Sequence, residues 1–173
     1  RIRRRASAGR WTLGSPDAPY IQSLMRLMAA QSKETIGRWC LDYAQTRILP
    51  VFERRCPGDA RPRRAIEAAR AWFSGKVKLP AVRAVILNEC HAAARELDHD
   101  PAAQAAARAC GQAASCCHVP AHALGLAYYG AAAVAYDEAG TCQSAAIYEE
   151  IFARECRKLE AALLAAIAEA GGA

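Results

Sequence analysis

Charge is missing from the middle of this chain: from Ala109 to Tyr136 there is no Asp, Glu, Lys or Arg. A stretch of that length without charge is hidden from water, either in lipid or inside a protein. It is poorly made for lipid. A membrane-spanning helix takes about 20 residues rich in Leu, Ile, Val and Phe. Here the text is mostly Ala and Gly. The large aliphatic residues are Val119, Leu124, Leu126 and Val134, and Gln112, Ser115, His118, Pro120 and His122 interrupt the run. The segment is therefore expected to be a helix, or a kinked pair of helices, enclosed by other helices. Pro120 lacks an N–H and crowds the preceding turn, which puts a bend or a fresh helix start near Cys117–Val119.

Other absences narrow the class further. Aromatic residues make up only 7% of the chain, and no alternating run of Val, Ile and Thr appears, so sheet is not expected. There is no internal repeat and no Ser/Gly linker, which leaves one domain. No secretory signal is visible, and four of the cysteines (Cys40, Cys90, Cys110 and Cys156) fall inside helical patterns. Reduced thiols in a cytoplasmic protein are expected rather than disulfides. The chemical motifs are equally sparse. No CxxC pair exists, and the HExxH form is absent because position 119 is Val. There is no GxSxG elbow and no glycine-rich phosphate loop, which argues against an enzyme. Gly125 and Gly130 lie in helical text and suit close helix packing instead. The adjacent acids Glu149 and Glu150 read as a solvated helix face.

What is present is helix-forming sequence with clear punctuation. Arg1, Arg3, Arg4, Arg5 and Arg10 open the chain without one acid, and much of the formal charge of +6 lies there. Residues 1–16, which also hold Gly9, Gly14 and Pro16, read as a basic arm, with a helical domain over 17–173. A first helix is expected from Asp17 to Ala30, with Tyr20, Ile21, Leu24, Leu27 and Met28 on one stripe. Ser32 suits the cap of a second helix running to about Pro50, with Ile36, Trp39, Cys40 and Tyr43 inward. A third opens between Asp59 and Pro62 and stops at Gly75. Pro80 opens a fourth, reaching Leu97, and Asp100-Pro101 opens a fifth that runs toward His118. A sixth follows Pro120 and ends before Gly140. The last runs from Ser144 to Ala170. The expected architecture is a compact all-α bundle of about seven helices around an Ala-rich buried central pair.

Two groups of residues stand out as candidate sites. His118 and His122 are spaced i, i+4, which places both on one side of an unbroken helix and suits a metal or small ligand. His91 could join them if its helix packs opposite, and Cys116 or Cys117 could complete such a set. Against this, Pro120 lies between the two histidines, and a half-buried imidazole more often serves the core. The second group is basic. Arg61, Arg63 and Arg64 cluster at a helix start and are candidates for contact with an acidic partner.

Several blocks also resemble one family. They are QSKETIGRWCLDYAQ (31–45), RPRRAIEAARAWFSGKVKLPAVR (61–83), HAAARE (91–96), DPAAQAAARACGQAAS (100–115), HVPAHALGLAYYGAAAVAYD (118–137) and the closing helix. In order and spacing they resemble the bacterial Imm-5-like immunity proteins, over nearly all of Gln31 to Ala170. The resemblance implies a small all-α bacterial protein that guards its host against a cognate polymorphic toxin, an assignment that comes from genomic association. It implies no catalytic residue and no cofactor. His118, Pro120, His122, Gly125 and Tyr129 match the family's most recognisable block, as fold determinants or as a pocket. Cys116 and Cys117 stand where small uncharged residues are expected. Immunity proteins against nucleases are usually acidic, so a basic chain points to an acidic toxin surface or to a different task.

The leading expectation is thus a binding protein that neutralises a cognate toxin by surface contact. Nucleic acid and membrane are not expected partners, and a homodimer is compatible. The alternative is a helical bundle that binds a metal or small ligand through His91, His118 and His122.

Overall fold

The computed structural model describes residues 14–171. Of the basic arm expected over residues 1–16, only 14–16 fall within the described residues. Those residues hold helix and turn but no strand. Helix α1 spans Pro19–Ala29. Helix α2 (Lys33–Tyr43) continues through a π turn, Ala44–Ile48, into α3 (Leu49–Arg55). Helix α4 covers Arg61–Phe73. Helices α5 (Leu79–Val85) and α6 (His91–Arg95) are joined by a second π turn, Ile86–Cys90. Helix α7 (Pro101–Ala114) ends in a 3-10 turn, Ser115–Cys117. A 3-10 segment, Pro120–Leu124, and a third π turn, Leu126–Gly130, lead into α8 (Ala131–Ala139). Helix α9 is the longest, Ala145–Gly171. The π turns fuse pieces into continuous rods, so the described residues form seven rods, as expected.

The starts and stops follow local chemistry. Ser32 Oγ accepts the Thr35 N–H at 3.1 Å, capping α2, and Asp100 caps α7 through the Ala103 N–H at 3.1 Å. Gly140 closes α8 with a φ of +71°, a conformation that glycine adopts at little cost. In each π turn one N–H reaches back five residues: Leu49 to Ala44, His91 to Ile86, and Ala131 to Leu126. The first has a visible cause. Pro50 would drive its ring into the Thr46 carbonyl in a regular helix, and the wider turn makes room.

Helix α7 is the axis of the molecule. All its residues are buried except Pro101, Arg108 and Gln112, and it packs against α3, α4, α6 and α8. Residues Ala131–Tyr136 of α8 are buried as well. These two form the Ala-rich central pair. An alanine gains little from burial by itself, about 0.8 kcal/mol per CH₂-sized group. The gain lies in how closely small side chains let the rods approach. Larger residues wrap the pair, among them Phe52, Ile66, Leu126 and Phe152.

Helix α9 crosses the outside and is fixed by one carboxylate. Glu155 is buried, yet it accepts from Arg47 at 2.8 and 3.0 Å and from Lys158 at 2.9 Å. Burial by itself would raise its pKa. The hydrogen bonds and charges of Arg47 and Lys158 outweigh that and hold it down at about 2. The Trp39 indole N–H donates to the Leu159 carbonyl at 3.1 Å, tying α2 to the same helix. No described helix is long and apolar enough to cross a membrane.

Candidate functional site

The three histidines are placed by the break at Pro120. His118 ends the turn after α7 and is exposed. Val119 is extended, and Pro120 starts a new 3-10 segment that carries His122 back toward α7. There His122 Nδ1 lies 2.9 Å from Gln112 Oε1. Because the amide oxygen accepts, this geometry assigns the proton to Nδ1. The interrupted register separates His118 from His122.

His91 arrives from the other side. It is the first residue of α6, directly after the second π turn, and its ring lies over Gly111 of α7. A Cβ at Gly111 would fall 2.5 Å from His91 Cε1. Burial lowers the His91 pKa, and the charges of Arg108, Arg95 and His122 lower it further. His91 is therefore neutral at pH 7. The structure brings His91 and His122 into one neighbourhood beside Arg108 and Gln112, and leaves His118 in solvent. Tyr129 lies half-buried in the third π turn, packed on the core. No hydrogen bond among the described residues joins it to a histidine. Among the described residues no three His, Cys, Asp or Glu side chains are grouped to hold a metal ion.

Burial holds several of the thiols protonated. Cys116 and Cys117 are buried, and burial pushes the Cys117 thiol up to about 11. Burial likewise raises Cys90 and Cys156 to about 12. Thiols in this state are protonated at neutral pH.

The arginines at the start of α4 are engaged within the chain. Arg61 holds Glu96 at 2.7 Å and Asp59 at 2.8 Å. Arg63 pairs with Glu53 at 2.7 Å, and Arg64 with Glu89 at 2.6 Å. Arg55 adds contacts to Asp100 and Asp137, both at 3.1 Å. The result is a lattice of ion pairs linking α3 and α4 to the second π turn, the residue after α6, the cap of α7, and α8. Each exposed pair contributes only up to about 1 kcal/mol. Together they leave a surface of alternating sign rather than a basic patch. The remaining imbalance is sequence-local: after residue 10 the chain carries 18 basic against 17 acidic residues.

A feature that the sequence did not announce lies on the far side of the Pro120 segment. A cleft of about 410 Å³ opens between α1, the start of α2 and that segment. Helix α1 supplies Met25, Met28 and Ala29, and α2 supplies Ile36. Pro120, Ala121 and Leu124 form the opposite wall, and Gln31 is the one polar lining residue. Met25 is 40% exposed at its mouth, and Val119, next to Pro120 in the chain, is exposed to the same extent. One signal was available. Both methionines of the chain fall at i, i+3 on α1, but the helical stripe puts only Met28 inward, so Met25 had no role there.

No curated protein and no solved structure matches the chain. The model of one family, described as Imm-5 like putative immunity protein, matches residues 26–162.

Proposed function

The chain belongs to the Imm-5 like putative immunity protein family, and from that premise we propose that it neutralises a cognate bacterial toxin by surface contact, without catalysis. The open apolar cleft is the observation that carries this reading. It is preformed, and it lies apart from the ion-paired face formed by α3 and the start of α4. A stable protein complex covers about 800 Å² on each partner, and its strongest contacts are centred on pockets that exclude water. The cleft supplies such a centre. The protonated thiols, and the parting of His118 from His91 and His122, support a binding role over a chemical one. In this reading Arg61, Arg63 and Arg64 stiffen the body. They stand at the start of α4, whereas its end, at Phe73, packs on Gly37 near the cleft's side of α2.

The test uses the purified protein and the toxin encoded beside its gene. The expected outcome is a stable complex in gel filtration and rescued growth when both are expressed together. Absence of both a complex and rescue overturns the proposal.

A further inference from the structure

We infer that the cleft is the anchor for a large apolar side chain carried on an acidic segment of the toxin. This rests on the neutralisation proposed above and names the partner's chemistry. Volume is the first ground. About 410 Å³ is ample for one aromatic side chain and its immediate neighbours. Its two methionines are flexible and polarisable, and thioethers pack favourably against ring edges.

Charge is the second ground. All the lining residues except Ile36 come from two stretches without a carboxylate: Ala18–Gln31, whose only charge is Arg26, and the charge-free 109–136. Arg26 is exposed and has no ion pair among the described residues. Lys33 is half-buried, with its ammonium on the Cys117 carbonyl at 3.2 Å and over the Trp72 ring at 5.3 Å, and it makes no ion pair among the described residues. His118 stands exposed just before Val119. Glu34, exposed in the first turn of α2, is the single acid near the cleft in sequence. Glu160 also touches α1, through Ser23, one turn before Arg26 and well round the helix from Met25. The field at the cleft is thus weakly positive and favours an acidic partner.

Other occupants fit less well. A small apolar ligand would fill the hole but leave Met25 and Val119 in water. A second copy meeting this face across a two-fold axis would bring each Arg26 and Lys33 toward its own image.

Ala29 and Ala121 are both exposed, so a larger side chain at either position enters the cleft without disturbing the core. Ala121→Trp and Ala29→Trp are each expected to weaken binding of the neighbouring toxin about 100-fold, with the melting temperature unchanged. Ala84→Trp, exposed on α5, is the control and leaves binding as it was. Arg26→Glu weakens binding about tenfold, and binding of the parent protein weakens as salt rises. If the parent binds toxin and both cleft variants bind equally well, this inference fails while neutralisation stands. If the parent binds no toxin, neutralisation fails and the inference falls with it. A free protein that is dimeric until Ala121→Trp splits it assigns the cleft to a second copy and also overturns the inference.

Discussion

Glu155 shows how one side chain can fix a helix and set a pH limit. Its carboxyl is ionised in the folded protein down to about pH 2, against an ordinary value of 4.5. A depressed folded-state pKa contributes stability that is complete above about pH 4.5 and is lost as the pH falls toward 2. A shift of that size corresponds to about 3 kcal/mol. Replacing Glu155 with Gln should therefore lower stability at pH 7 by roughly 2–3 kcal/mol, because Arg47 and Lys158 lose their acceptor. Between pH 5 and pH 2 the variant should lose less stability than the parent. Urea titrations at a series of pH values measure both effects. An unchanged acid limb in the variant would remove Glu155 as its source. Removal of a surface ion pair such as Arg63 with Glu53 should cost no more than about 1 kcal/mol at pH 7, since water screens it.

Among the elements, the seam between α7 and the Pro120 rod is the tightest approach at the site. A Cβ added at Gly125 would lie 2.4 Å from the Gln112 Cβ, so neither side chain can swing clear. Gly125→Ala should cost roughly 1–3 kcal/mol in thermal unfolding, although alanine is the better helix former. Gly111→Ala meets only the end of the His91 ring and should be close to neutral, because the ring can rotate away. Equal losses in the two variants would show that the seam is not the tighter constraint. The seven rods were legible in the sequence because their ends carry local signals, such as Ser32, Asp100-Pro101 and Gly140. The bend at Pro120 was legible for the same reason, and it explains why His118 and His122 part. The π turns were not legible, since a single five-residue hydrogen bond leaves the apolar pattern almost intact. The partners of Arg61 and the cleft itself were hidden for another reason. Each joins residues far apart in sequence: Arg61 and Glu96 lie 35 positions apart, and the two walls of the cleft are further apart still.

Across the whole molecule, order should fall from the centre outward. Helix α7 is buried on nearly every side, whereas residues 140–144 are exposed throughout. Hydrogen–deuterium exchange should find the slowest amides in α7 and Ala131–Tyr136, opening only with global unfolding. The fastest should lie in 140–144 and the outer turns of α9. Slowest exchange in α1 or α9 would contradict an α7-centred core. The same layout separates two kinds of position. Met25, Ala29 and Ala121 shape the cleft from outside and do not touch the packing of α7, where an extra methyl group at a seam such as Gly125 is costly. On the proposed toxin-binding reading, a lineage facing a drifting adversary can redraw its point of engagement through a few peripheral substitutions, while the scaffold beneath is inherited unchanged.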